Sequence, residues 1–339
     1  MKKILFFLLA SIFVIAQKTE TINLSKSIKD SRNIYSSFTV IDQRESPEIG
    51  GVQFHNDQVN IVFENNASGD IKDWFTKYNK LGSGEQLVFL IEKITISEEK
   101  KDKFQMGKLD FRASTFIKKE DGYHFLFRKD TVATVSSRET PYMAQSLAKK
   151  VALICADLLK DSYRKMSWEF SISESELANY EVLLKDKLDI LKTEALKEGV
   201  YKDSHSFFTN NLESGFTLQT NDKGIVTKAV NGDEKKQIRN FYAFVHNGIP
   251  YKVIPVGYTE IFKNEKGLFI EARKEDLFPE GSSNAVAIGA AAGGLVGGLI
   301  AVAIDASFPK KKRGIPEYEV YLDPLTGNYI LPENFGKAK

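Results

Sequence analysis

Residues Gln86–Ser97 read QLVFLIEKITIS. Leu87 to Ile91 is an unbroken apolar run, and after Glu92 polar and apolar residues alternate. A short apolar run passing into period-two alternation is the pattern of a central strand. Upstream, Ser37–Arg44 (SFTVIDQR) reads as a strand that ends in a turn at Pro47 and Gly50-Gly51, and Val59–Phe63 alternates as another. Ile71–Lys80 (IKDWFTKYNK) is amphipathic at helical spacing and stops at Gly82. Downstream, Lys108–Lys118 and Tyr123–Val135 form a hairpin around Glu120-Asp121-Gly122, with Asp-Gly as the turn signal. Tyr142–Lys165 then places Leu147, Val151, Ile154, Leu158 and Leu159 on one helical face. Residues 17–166 are therefore predicted to form one small α+β domain.

Glu174–Lys197 reads as a charged helix, capped by Ser173 with Glu176 three residues on and closed by Gly199. It is predicted to connect the halves, over residues 167–198. Residues 199–339 hold short β-like runs at Phe216–Thr220, Ile225–Val230, Phe241–His246, Tyr251–Tyr258 and Leu268–Arg273. A last hairpin pairs Glu319–Asp323 with Asn328–Leu331 across Pro324–Gly327. The expected class is α+β: two small mixed domains joined by a charged helix, with a Gly/Ala-rich hydrophobic helix and a closing β-hairpin near the C-terminus.

That hydrophobic segment is Asn284–Ile304, NAVAIGAAAGGLVGGLIAVAI. Ala285, Gly289, Gly293, Gly297 and Ala301 recur every four residues, and Gly294 and Gly298 lie beside that row. On a helix they would form one face of small side chains, which lets two backbones approach closely. Twenty uncharged residues match a hydrocarbon core of roughly 30 Å. The insertion signal is marginal, because eight Leu, Ile and Val residues contribute about −2.4 to −4.8 kcal/mol. The segment resembles the glycine zippers of bacterial envelope proteins on Gly289, Gly293 and Gly297. That resemblance implies association with a membrane or with a second copy, as a homo-oligomer. Lys310, Lys311, Lys312 and Arg313 follow, suited to meeting anionic head groups at the interface. An isolated two-stranded hairpin is marginal in water, so the closing hairpin should pair with the sheet of residues 198–283. A single membrane crossing at 284–304 would separate those partners, which favours a segment kept to one side.

Met1–Ala16 has Lys2 and Lys3, an apolar stretch Ile4–Val14 and a small-residue exit, the pattern of a cleaved secretory signal peptide. No cysteine stands at that exit, so no lipid anchor is expected. The predicted location is the periplasm, the outer membrane or the exterior. With 47 basic and 45 acidic residues interspersed, composition points to no nucleic-acid partner. Cys155 is the only cysteine, which excludes an internal disulfide. The first half resembles α+β domains of envelope accessory proteins for lipid or polysaccharide assembly, on Val40-Ile-Asp-Gln-Arg44 and Ile49-Gly50. The second half is similar to secreted Bacteroidota proteins of no known activity. That similarity rests on Gly199-Val200-Tyr201, Phe207, Asn210-Asn211, Tyr251-Lys252-Val253, Gly257 and Tyr321–Gly327.

No reaction is announced. His55, His124, His205 and His246 have no partner at helical spacing, so no zinc-binding helix pair is predicted. Asp203, His205 and Ser204 or Ser206 supply triad residue types without a Gly-x-Ser-x-Gly elbow. Gly82-Ser83-Gly84 lacks the lysine of a phosphate loop, Glu98–Lys103 reads as a solvated loop, and Asp42 with Arg44 as an ion-paired turn. The expectation is a non-enzymatic envelope protein with no cofactor, metal or catalytic residue. The alternative is a soluble secreted binding module in which the Gly/Ala segment packs within the second half.

Overall fold

The fold is taken from a computed structural model, which describes residues 18–54, 57–193, 196–279, 317–332 and 334–336. Strands β1 (Lys18–Thr21), β2 (Tyr35–Asp42), β3 (Gly51–Phe54) and β4 (Asp57–Val62) lead into helix α1 (Ala67–Tyr78). Asn66 caps α1 by accepting the Gly69 N–H at 2.8 Å. Then come three long strands, β5 (Glu85–Lys101), β6 (Phe104–Lys119) and β7 (Gly122–Ser136), helix α2 (Met143–Ser162) and strand β8 (Ser171–Ile172). The main sheet of this half runs β2-β5-β6-β7-β8, with β2 parallel to β5 and every other pair antiparallel. The turn between β6 and β7 is the expected Asp-Gly, with Gly122 at φ 137°. β1, β4 and β3 form a small second sheet.

Burial along β5 explains its sequence pattern. Leu87, Phe89 and Ile91 face a core shared with α1 and α2, and Ile94 and Ile96 continue that face. Val88 and Leu90 point the other way, into a second core. The unbroken run is dry on both faces and the alternating stretch on one. Glu98–Lys101, expected in a loop, instead completes β5.

The second core corrects the expected architecture. It joins Val88, Leu90, Phe116 and Phe125 of the first half to Tyr180, Leu184, Tyr201, Phe207, Ile270 and Val320. The charged connector helix does not form as one piece. Residues 174–197 break into a 3-10 turn (Glu174–Asn179), α3 (Tyr180–Asp186) and α4 (Asp189–Lys192). The reason is burial: Leu177, Tyr180, Leu184, Leu188 and Ile190 are all drawn into the core, so the stretch wraps around the sheet. The Ser173–Glu176 cap does form, with the Glu176 carboxylate accepting the Ser173 N–H at 2.9 Å.

A polar network fixes α3 to the sheet. Buried Arg128 on β7 lies 2.9 Å from Glu181 and 3.1 Å from Asp130. The Tyr180 hydroxyl donates to Glu92 at 3.1 Å, as does that of Ser114 at 2.7 Å. Burial pushes the Glu92 carboxyl up, while Arg128 and the two hydroxyls pull it down.

The second half continues with β9 (Gly199–Tyr201), α5 (Ser204–Phe208), β10 (Thr217–Thr220), β11 (Val226–Asn231) and β12 (Glu234–Gln237). The meander β13 (Ala243–His246), β14 (Ile249–Ile254), β15 (Gly257–Asn264) and β16 (Gly267–Ala272) follows, then α6 (Lys274–Leu277), β17 (Tyr318–Leu322) and β18 (Tyr329–Ile330). Seven of these strands make one antiparallel sheet in the order β9-β13-β14-β15-β16-β17-β18, and β10-β11-β12 covers one end of its outer face. Among the described residues 44% are in strands against 22% in helices, so the fold is mostly β, and the predicted pair of helix-linked α+β domains is not what it forms.

Because the second core spans both halves, the described body should unfold as one unit. Urea denaturation followed by tryptophan fluorescence and by far-UV circular dichroism is expected to give coincident midpoints. Phe116→Ala, which removes a fully buried ring from that core, should lower stability by about 3–5 kcal/mol. Two separated transitions would show that the halves are energetically independent.

Candidate functional site

Ala285, Gly289, Gly293, Gly294, Gly297, Gly298 and Ala301, with Lys310, Lys311, Lys312 and Arg313, lie outside the described residues, as does Met1–Ala16. What is described is the frame that holds both ends of the stretch carrying them. β16 and β17 are neighbouring strands, and Ala272 pairs with Tyr318. The 45 residues between them (318 − 272 − 1) therefore leave and rejoin one sheet at adjacent positions.

Each foot is clamped. At the departing foot, buried Arg273 forms a two-pronged pair with buried Asp276, Nε to Oδ2 and Nη2 to Oδ1, each at 2.8 Å. The Arg273 N–H also donates to Asp276 Oδ2 at 3.0 Å, which fixes the first turn of α6. Phe278 follows, its ring 6.3 Å from that of Phe335. On the returning foot, the Tyr318 ring lies 5.2 Å from the same Phe335. One buried ring near the C-terminus thus touches both feet.

The residues that carry the second-half resemblance converge beside this frame. Lys252, on β14, is buried on the inner face of the seven-stranded sheet. Its ammonium donates to the Val253 carbonyl at 2.7 Å and the Tyr242 carbonyl at 3.2 Å. It also lies 4.0 Å from the Tyr242 ring centre and 5.7 Å from that of Tyr329. Tyr329 belongs to β18, four strand spacings from β14, which is roughly 19 Å across a flat sheet. The sheet must therefore curl into a half-barrel for the contact to exist. The Tyr242 hydroxyl closes the same curl by donating to the Gly327 carbonyl at 3.3 Å. Gly327 sits at φ 73°, and a side chain there would come within 2.5 Å of Ser204. Asp323 braces that turn, accepting from the Thr326 hydroxyl at 2.8 Å and the Leu325 N–H at 3.0 Å. Tyr201 donates to Asn210 at 2.8 Å and packs on Phe207, with ring centres 5.3 Å apart. Tyr201, Phe207, Lys252 and the turn Asp323–Gly327 belong to the inner lining and closure of the half-barrel, while Val200, Tyr251 and Val253 pack on its outer face under β10-β11-β12.

The residues weighed for chemistry have structural work. Asp203 accepts the Ser206 N–H at 2.9 Å and caps α5, so it does not orient His205. Burial depresses the His205 imidazole, which lies against Trp168 at 4.8 Å between ring centres. His124 bonds the Trp168 carbonyl and Asp121, both at 2.9 Å. Asp42 and Arg44 form the expected ion-paired turn at 2.7 Å. Burial pushes the Cys155 thiol up to about 12. Among the described residues no group of His, Cys, Asp and Glu could hold a metal, and no helix is long and apolar enough to cross a membrane.

No protein-family model and no curated protein matches the chain. Two solved structures resemble part of it. A minor lipoprotein from Acinetobacter baumannii is 10% identical, over 40% of this chain and 98% of its own, with a TM-score of 0.25. A Xanthomonas campestris protein of family DUF330 is 9% identical, over 42% of this chain and 96% of its own, with a TM-score of 0.25.

Lys252 gives a measurable signature of the closure. Burial pushes its ammonium down to about 7, against about 10.4 in an unfolded chain. Between those values the unfolded chain holds the proton and the folded one does not, so this group's contribution to stability rises with pH, by about 1.4 kcal/mol per unit. It is fully present above the unfolded value and lost as pH falls towards 7. Urea titrations from pH 7 to 9.5 should show a steeper rise for the native chain than for Lys252→Met, which keeps the stem and removes the charge. Parallel profiles would mean that the ammonium stays protonated in its ring-lined site.

Proposed function

We propose that this chain is an exported bacterial envelope protein that works by association rather than catalysis, and that the small-residue face of 285–304 makes the contact with a membrane or with a second copy. The observation that carries the reading is the pair of feet. With Ala272 paired to Tyr318 and Phe335 touching both sides, the segment is presented as one out-and-back excursion from a rigid sheet. A one-way crossing would pull β17 away from β16, so contact is made from one side of the bilayer. The run Lys310–Arg313 then stays with the body and faces the anionic head groups.

A second reading keeps the protein soluble, with the Gly/Ala segment folded back on the second half. One observation favours it. On the outer face of the seven-stranded sheet, Phe262, Phe269, Tyr321 and Ile330 lie opposite one another across β15, β16, β17 and β18. The Phe262 and Phe269 ring centres are 5.6 Å apart, as are those of Phe269 and Tyr321. β10-β11-β12 does not reach this row, which lies on the strands that bear the feet. The next row on that face is Glu260, Glu271 and Glu319, a poor surface to lay on an anionic bilayer. The membrane contact therefore belongs to the segment and not to the sheet.

Fractionation of the mature protein with and without residues 284–304, with a carbonate wash of the membranes, separates the readings. Retention of the full chain and release of the deletion variant is the expected result. Gly293→Leu, which fills the small-residue face, should weaken self-association while leaving the folded body intact. If both chains are soluble and Gly293→Leu instead unfolds the second half, the packed-segment reading replaces this one.

A further inference from the structure

In the first half, a cleft of about 460 Å3 opens between residues 29–32 and the end of α2, lined by Lys29, Asp30, Arg32, Lys160, Tyr163 and Arg164. Four side chains bring positive charge and one brings negative. Among the described residues, Lys29, Lys160 and Arg164 stand in no ion pair. Cations at the end of a helix offset its dipole and exposed carbonyls, which accounts for Lys160 and Arg164, and Arg32 opposite them pairs with Asp30, which leaves Lys29 without such a role.

Asp30 supplies the second, independent observation. It is only 5% exposed. One carboxylate oxygen, Oδ1, accepts from the Arg32 backbone N–H at 3.1 Å and from Arg32 Nε at 3.2 Å. The other, Oδ2, is buried and has no hydrogen-bond partner among the described residues. The Tyr163 hydroxyl cannot serve it while donating to the Ile28 carbonyl at 2.8 Å. The Asp30 N–H donates to Asn79 at 2.7 Å, so the backbone that carries the carboxylate is fixed. A buried acceptor without a donor is costly to leave unmet.

We infer that this cleft binds a phosphate ester that carries a hydroxyl next to the phosphate. The phosphate meets Arg32, Lys160, Arg164 and Lys29, since guanidinium groups match its oxygens in a two-pronged geometry. The hydroxyl donates to Asp30 Oδ2, which separates this ligand from a bare anion. A free sugar or glycerol phosphate and a lipid head group share this chemistry. The inference is independent of the segment at 284–304, because every residue it uses lies before Lys165.

Isothermal titration of the full mature chain with sn-glycerol 3-phosphate, with inorganic phosphate and with phosphatidylglycerol vesicles tests it. Saturable binding of sn-glycerol 3-phosphate, tighter than that of inorganic phosphate, is expected. Lys160→Ala with Arg164→Ala should weaken it by about tenfold or more, since the whole α2 side of the phosphate grip is removed. Lys29→Ala, at an exposed position, should weaken it independently, and circular dichroism checks that each variant is folded. Binding confined to the vesicles, and lost in the same variants, would assign the head group as the source. Equal binding of inorganic phosphate, binding that survives all these changes, or no binding of any probe at millimolar concentration would overturn the inference.

Discussion

The structure depends on five residues of β5 being dry on both faces. Leu87, Phe89 and Ile91 close the core under α1 and α2, while Val88 and Leu90 floor the second core that runs into the seven-stranded sheet. A strand of that kind cannot be shielded by one domain alone. The second half must lie against it, and the stretch between the halves has to run along the contact instead of spanning a gap. This is why residues 174–192 are short helical pieces with Leu177, Tyr180, Leu184 and Leu188 turned inward. Each such side chain is worth roughly 1.5–3 kcal/mol on burial, more than the propensity difference between one long helix and several short ones.

The same contact sets where polar chemistry can sit. Arg128 is buried and Glu92 half-buried because the joint closes over them, and each is kept there by partners: Glu181 and Asp130 for the guanidinium, Ser114 and Tyr180 for the carboxylate. A buried charge pair contributes little net stability but is severe to break. It therefore acts as a register pin for α3 on the sheet. Lys252 follows a different solution, with carbonyls and ring faces in place of a carboxylate. That makes it the weaker point and the one sensitive to pH.

The strands of the first half were legible, because QLVFLIEKITIS, the Asp121-Gly122 turn and the apolar face of α2 are local patterns. Charge hid the rest. Glu174, Glu176, Glu181, Lys185 and Lys187 make the connector look like a solvated helix, although its apolar residues are spaced to face a core. The mostly β character was missed for a related reason: many second-half strands are two to six residues long and carry little periodicity of their own. The pairing of the closing hairpin with the earlier sheet could be argued from the instability of an isolated hairpin. The contact between Lys252 and Tyr329 could not, since it depends on a curl that brings residues 77 positions apart (329 − 252) to one place. The cleft at Asp30 escapes sequence reading as well, because its cations come from two separate stretches that only tertiary packing brings together.

Holding the feet together has a cost that bears on what the excursion can do. Closing a loop of 45 residues costs about 3 kcal/mol beyond the fixed term, from (3/2)RT ln n. The β16–β17 ladder, the Arg273–Asp276 clamp and the Phe335 contacts offset it within the fold. The contact proposed for residues 285–304 therefore does not have to order the feet again. The segment's own apolar content is worth about −2.4 to −4.8 kcal/mol for insertion, with five glycines working against it. An anchor of that size holds a protein reversibly. Stable retention then needs a second term, from the basic run at the surface or from a second glycine face packed on the first. On the proposed reading, tethering both ends to one sheet favours the latter, because the feet of each body are already ordered before two copies meet.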